Sequence, residues 1–346
     1  MIPPPTDRFL LQTILKRVSR SFYLTLAVLP TAVRSQVGLA YLFARAADTI
    51  ADTGELTHEA RLHCLQQFKA QFRHGQVQAA DVQSIQALAA SLQRDPSERV
   101  LLEELPRCFG LYETLSCEDR QLIAELLPTI IAGMEFDLVQ FPQQSEGRVT
   151  ALPTMKELDY YTYAVAGCVG EFWTKIMCAH LPRLSHWDSS VMVPTGIRYG
   201  KGLQLVNILK DVAQDLRLGR CYIPQHLLDE AHLQPEDLLD QRNAQRLRPI
   251  LKQLIATALG HLDQGWSYTM AIPRLEVRLR LACMWPILIG LRTLQQLSVS
   301  PHILDPTTPS KVSRGDVYRI MALTTLSGGC GSVGTAYWGY LRKRVV

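Results

Sequence analysis

Apolar residues recur at three- and four-residue spacings along almost the whole chain, and runs alternating apolar with polar are scarce. The pattern predicts an all-α protein. Asp7 is placed to cap a first helix after three prolines, with Phe9, Leu10, Ile14 and Leu15 on one face. Pro30 predicts the start of another, running through Val33, Val37, Ala40 and Tyr41 to Asp52, with Gly54 as the break. The glutamine-rich stretch 66–93 reads as exposed helix surface. Clusters of Pro and Gly predict loops at 142–153, 181–194 and 300–315. With no internal repeat and no shift of composition to mark a linker, one domain over residues 1–346 is expected.

Two of these helices carry polar faces that stability does not ask for. In the first, Tyr41, Arg45, Asp48 and Asp52 follow one another in steps of four, three and four, on a helix otherwise made of Leu, Phe, Ala and Ile. In the second, Gln204, Asn207, Asp211 and Asp215 form the same kind of stripe, bordered by Leu, Val and Ile. Each aspartate pair is separated by one turn, about 6 Å along the axis. Like charges at that spacing repel by a few tenths of a kcal/mol. Facing inward they cost more, unless a cation neutralises them.

Mg²⁺ accounts for such an arrangement, because it takes oxygen ligands, keeps several waters and bridges carboxylates to substrate phosphates. Arg45 is on the right face to donate a bidentate contact to a departing diphosphate, and Arg220 could do likewise from a loop. A single D-x-x-x-D is most often a solvated face. Two of them, each set in an apolar helix, make that account less economical. Neither segment has the glycine turn of an EF-hand. A third segment, 160–174, holds Tyr160, Tyr161, Tyr163, Gly167 and Gly170. Its glycines point to close helix packing or to open space for a ligand, and its tyrosines equally to ordinary core.

Composition narrows the field. Hydrophobic residues make up 47% of the 346 and charged residues 20%, a globular balance. A net charge of +4, with aromatics not paired to basic residues, gives no support for nucleic acid. The eight cysteines show no C-x-x-C spacing, so neither zinc nor a disulfide framework is indicated, and reduced thiols are the plainer account. No secretory signal is visible. The longest apolar run, 281–291, is well short of the about 20 residues that cross a bilayer. The expectation is a cytoplasmic protein, at most peripheral to a membrane. The apolar stretch 284–299 and the cluster Arg342-Lys343-Arg344 are the candidates for that contact, although core packing explains the first equally well.

Ser19-Arg20-Ser21-Phe22, the stripe from Tyr41 to Asp52, the segment from Tyr161 to Gly170, and GLQLVNILKDVAQDLRLGRCYIP ending at Pro224 occur in the order and spacing of squalene and phytoene synthases. The chain resembles that family from about Ser19 to Pro224, and more faintly beyond. The resemblance implies an isoprenoid-synthase helical bundle around a central apolar cavity. It implies Asp48, Asp52, Asp211 and Asp215 as ligands of Mg²⁺ and diphosphate, with Asn207 beside them. Ser19, Arg20, Phe22, Arg45, Gln204, Lys210 and Arg220 fall at substrate-contacting positions. Tyr41 and Tyr161 match polar groups of the cavity, one of which is a candidate proton acceptor. Met134-Glu135-Phe136-Asp137-Leu138 resembles a further family segment, its acids either supporting the metal ligands or purely structural. Lys210 departs from the family, where many members carry arginine; it keeps the charge and loses the planar fork.

What the resemblance implies chemically is head-to-head joining of two farnesyl diphosphates to presqualene diphosphate, then reductive rearrangement with NADPH to squalene, within sterol or hopanoid biosynthesis. Siblings end at phytoene, dehydrosqualene, hydroxysqualene or the intermediate. The first acidic motif and Gly167-Cys-Val-Gly170-Glu171-Phe-Trp173-Thr174 are similar to squalene-type members, and Lys311-Val-Ser-Arg314-Gly315 to the basic segment reaching NADPH phosphates. For that last segment a solvated loop is an equal account. Gly329-x-Gly331-x-x-Gly334 matches a dinucleotide fingerprint but follows no strand, so it is not read as one. A monomer or weak dimer is expected. A non-catalytic assembly protein of the same family stays as the alternative of another class.

Overall fold

Helices build most of the described residues. In the computed structural model the described residues are 8–19, 22–73, 77–142, 148–308, 310–327 and 331–345, and Asp7 and Arg20 lie outside them. Among them the only strands are Thr150–Ala151 and Arg220–Cys221, paired in parallel with Thr150 opposite Arg220. The chain forms two compact units, Met1–Val139 with Phe172–Trp187, and Gln140–Glu171 with Asp188–Val346.

In the first unit the helix Thr31–Asp52 starts directly after Pro30, as the sequence predicts, and ends one residue before Thr53 turns extended. It buries Val33, Val37, Leu39, Leu42, Phe43, Ala46, Ala47 and Ile50. Phe43 is the centre of an aromatic cluster, 4.8 Å from Phe109 and 5.1 Å from Phe72 between ring centroids. A side chain of that kind contributes about 1.5–3 kcal/mol on burial. Phe68 and Tyr112 close the cluster. Thr57 caps His58–Ala70 by accepting from the Ala60 amide, and Asp95 caps Pro96–Glu103 by accepting from Ser97 and Glu98.

The glutamine-rich stretch differs from expectation. Gln71 and Gln93 are buried, Gln71 donating to the Gln67 carbonyl and to Asp81, and Gln93 donating to Thr53. An amide can be buried once its donors find partners, and composition does not show which ones will.

In the second unit the long helix Ser189–Arg217 packs along Ala244–Ala271. It begins inside the expected loop 181–194, because Asp188 caps it by accepting from Ser190, and it carries Pro194 within. One missing donor is a small loss in a helix of 29 residues held by packing. Gly167 and Gly170 are explained by close approach: a β-carbon at Gly170 would stand 1.9 Å from the Gly196 carbonyl oxygen, and one at Gly200 2.2 Å from that of Ala166.

The stretch 284–299 is core, with Met284, Leu288, Leu291 and Leu294 fully buried in the helix Val277–Val299, so it offers no apolar face to a membrane. Arg342 is likewise committed. It donates two hydrogen bonds to Asp263, at 2.8 and 2.7 Å, next to the stacked pair Trp266–Trp338. Gly334 lies in the helix Gly331–Arg342 against Met284 and Trp266. No helix among the described residues is long and apolar enough to cross a membrane.

Candidate active site

The stripe predicted on Thr31–Asp52 is present as the less buried line of an otherwise buried helix. Tyr41, Arg45 and Asp48 are half-buried, Asp52 is exposed, and Leu42, Phe43, Ala46, Ala47, Thr49, Ile50 and Ala51 are buried between them. Arg45 joins two carboxylates: one terminal nitrogen donates to Asp48, the other to Glu98 of Pro96–Glu103. Burial works against the guanidinium charge, but Asp48 and Glu98 more than offset it, and its pKa is raised. Phe22 stacks on Tyr41 with centroids 5.4 Å apart and planes 22° from parallel. The Ser19 hydroxyl is engaged by its own helix, donating to the Leu15 carbonyl at 2.5 Å. Glu135 pairs with Lys69 at 2.6 Å, and Asp137 is buried.

The second stripe has the same construction. On Ser189–Arg217, Gln204, Asp211 and Asp215 are half-buried and Asn207 is exposed, while Leu205, Val206, Ile208, Leu209, Val212, Ala213 and Leu216 are buried. Lys210 Nζ lies 3.0 Å from Asp211 Oδ2 and 3.5 Å from Asn207 Oδ1, so the lysine balances this face as Arg45 balances the other. The helix ends at Arg217, and the chain turns at Gly219, whose φ of 77° lies in the left-handed region that a side chain would resist. That reversal feeds Arg220 into its two-residue strand, where its side chain is half-buried.

Tyr161, at the end of Met155–Thr162, stacks on Tyr222 and donates to its hydroxyl at 3.3 Å. Tyr222 in turn meets Phe141 edge-on at 5.2 Å. Lys311 and Arg314 are exposed, Arg314 opening the helix Arg314–Leu326 whose cap is Ser313. Asp316, in the same first turn, accepts from Ser313, so an acid already stands at that helix start.

Two residues of this neighbourhood were not singled out from sequence. Tyr222 sits inside the second acidic segment, and its aromatic ring was the available signal. Glu98 follows an ordinary capping sequence, Asp95-Pro96-Ser97, and nothing local distinguishes it.

The donors fit a hard cation. Each unit offers two carboxylates one helical turn apart, on a face where the neighbouring positions are apolar and a cation is already drawn in.

An all-α isoprenoid-synthase fold bearing two such faces defines the class. The chain belongs to the squalene/phytoene synthase family, whose profile matches residues 15–315. It is 30% identical over 267 residues to a bifunctional lycopene cyclase/phytoene synthase of Pyrenophora tritici-repentis, covering 77% of this chain and 42% of that protein. The chain thus spans about two fifths of those bifunctional relatives. It is 25% identical over 335 residues to a squalene synthase of Eremothecium gossypii, covering 96% of this chain and 71% of that one. Its fold matches a structure of TcSQS with a bound ligand at a TM-score of 0.80, with 21% identity, covering 99% of this chain and 92% of the other. The squalene synthase HpnC of Alicyclobacillus acidocaldarius matches at 0.58, with 18% identity, covering 84% and 94%.

Proposed function

We propose that the chain is a head-to-head prenyl synthase that joins two farnesyl diphosphates into presqualene diphosphate and reduces that intermediate to squalene with NADPH. The observation that carries it is the pair of aspartate stripes, Asp48 with Asp52 and Asp211 with Asp215, each the less buried line of an otherwise buried helix. Mg²⁺ held by these carboxylates would supply charge for the departing diphosphate. Arg45 is assigned to the leaving diphosphate, with Arg20 and Arg220 as further cationic contacts and Lys210 and Asn207 beside the second pair. Ser19, Phe22 and Gln204 complete the substrate-contacting set.

In the first half-reaction the allylic C–O bond of one farnesyl diphosphate breaks and the double bond of the second supplies the electrons for a new C–C bond. A proton then leaves to close the cyclopropane, and Tyr41 and Tyr161 are the assigned acceptors. In the second half the remaining diphosphate leaves, the skeleton rearranges, and hydride from NADPH quenches the cation. Lys311 and Arg314 are the assigned contacts to the nucleotide phosphates; both are exposed cations able to reach an anion.

A phytoene-type end point is the second reading, favoured by the 30% identity to a protein named in part as phytoene synthase. The chain is read as one catalytic domain, cytoplasmic, and a monomer or weak dimer. Release of the apolar product at an anionic membrane surface falls to Lys343, Arg344 and the exposed Leu326 and Tyr340, since 284–299 is core. Co-sedimentation with anionic liposomes at low salt tests that contact.

The deciding experiment is product analysis by gas chromatography–mass spectrometry with Mg²⁺ and either farnesyl or geranylgeranyl diphosphate, with and without NADPH. Squalene only with NADPH, and presqualene diphosphate without it, is the expected result. Phytoene from the longer substrate would move the protein to the second reading. No product from either would favour a non-catalytic assembly role.

A further inference from the structure

Glu98 stands 53 residues from Arg45 in the chain, yet their side chains are paired, and both are largely withdrawn from solvent at 13% and 20% exposure. A half-buried carboxylate is costly unless a cation meets it. The helix itself makes no such demand. Its N-terminal amides are already served by Asp95, which accepts from Ser97 and Glu98, and the adjacent Arg99 turns away to the Gln93 carbonyl. The Glu98 carboxylate turns instead to Arg45.

Its effect follows from the guanidinium geometry. Arg45 presents one terminal nitrogen to Asp48 and the other to Glu98. A planar fork with both ends occupied has a fixed direction. With one end released it would swing and close over Asp48 with two hydrogen bonds, the stronger bidentate form. Both carboxylate oxygens of Asp48 would then be taken by the protein itself.

We propose that Glu98 is a positioning residue. By holding one arm of Arg45 it keeps the guanidinium from closing over Asp48, and so keeps the first aspartate pair available to a metal–diphosphate ligand. This role rests on the assignment of that face to diphosphate, and it adds a residue from another helix that acts through Arg45.

The test is calorimetric titration of inorganic pyrophosphate in the presence of Mg²⁺, applied to the full chain and to Glu98→Gln, Arg45→Gln and the double variant. Glu98→Gln keeps shape and removes charge. It is expected to weaken pyrophosphate binding about 10-fold, and to raise the Mg²⁺ concentration at half-saturation by a similar factor. Glu98→Asp, which keeps the carboxylate, should recover part of the loss; it also serves if the glutamine variant does not fold. The double variant should bind no worse than Arg45→Gln, since Glu98 acts through Arg45. Losses that simply multiply, or an unaffected Glu98→Gln beside a binding wild type, would overturn the role of Glu98 alone. A wild type that binds no pyrophosphate would remove the diphosphate assignment, and this role with it.

Discussion

Tyr161 and Tyr222 stack with ring centroids 4.8 Å apart and planes 23° from parallel, and the Tyr161 hydroxyl donates to that of Tyr222 at 3.3 Å. Tyr222 is 6% exposed, so it acts as a fixed wall behind the more accessible Tyr161. Tyr222→Phe keeps the wall and removes the acceptor, with an expected loss of about 1 kcal/mol in stability. Tyr222→Ala removes both and should lose about 3–5 kcal/mol. Denaturant unfolding of both variants checks this order. If Tyr161 needs its hydroxyl aligned, turnover should fall in Tyr222→Phe more than the small stability loss explains.

The glycines separate into two kinds that sequence alone treats alike. Gly170→Ala and Gly200→Ala push a β-carbon into a backbone carbonyl, at 1.9 and 2.2 Å, and backbone cannot move aside as a side chain does. Each should lose more than about 3 kcal/mol or fail to accumulate as folded protein. Gly110→Ala and Gly260→Ala meet nothing within 4 Å, and both positions are helical. These should be neutral or gain up to about 1 kcal/mol. Thermal unfolding of the four variants would show it, and equal effects across all four would contradict the close helix contact.

The aspartates should show the opposite balance between stability and function. Asp52 and Asp48 repeat a like charge along one helical face, which disfavours the folded helix by a few tenths of a kcal/mol. Asp52→Asn and Asp211→Asn should therefore shift the unfolding stability by no more than about 1 kcal/mol, the relieved repulsion being set against the ion pair that Asp211 makes with Lys210. Turnover of prenyl diphosphate should fall by at least about 100-fold if these carboxylates hold the metal that assists departure. Steady-state kinetics across a Mg²⁺ series, alongside thermal unfolding, gives both readings from one protein preparation. A turnover loss that tracks a stability loss would point to misfolding instead.

Helical periodicity made the all-α architecture legible, and the boundaries of Thr31–Asp52 followed from Pro30 at its start and the break at Gly54. Both acidic stripes were readable because their spacing places carboxylates where an ordinary buried helix has none. Gln71 and Gln93 were misread, since their burial depends on partners such as Asp81 and Thr53 brought in by folding. The stretch 284–299 was ambiguous for a similar reason: an apolar helix reads the same whether protein or lipid covers it. Glu98 was invisible because its meaning lies in Arg45, on another helix. The stripes belong to single helices, and that is why sequence showed them; the pairing of Arg45 with Glu98 crosses between helices.

His261 supplies a pH dependence that is separate from the acidic faces. Its ring accepts from Arg198 Nε at Nδ1, at 3.4 Å, which requires that nitrogen to be unprotonated. Burial comes first in holding its pKa down to about 4 from the ordinary 6.5; the positive charges of Arg198 and Lys201 add to it, and Asp159 opposes them. Lys201 is itself paired with Asp159 at 2.6 Å, which limits what that carboxylate can offer the imidazole. The unfolded chain takes up a proton near pH 6.5, and the folded one does so only near pH 4. Between those values the unfolded state binds more protons, so stability falls as pH drops through the window and is fully present above it. His261→Gln keeps a neutral acceptor and cannot titrate. Its unfolding midpoint should match the wild type near pH 8 to within about 1 kcal/mol, the usual scale for a conservative polar change. It should lose less stability than the wild type between pH 6.5 and about 4. Denaturant titrations at four or so pH values across that range would decide it. Parallel curves for the two proteins would mean that other groups carry the acid sensitivity.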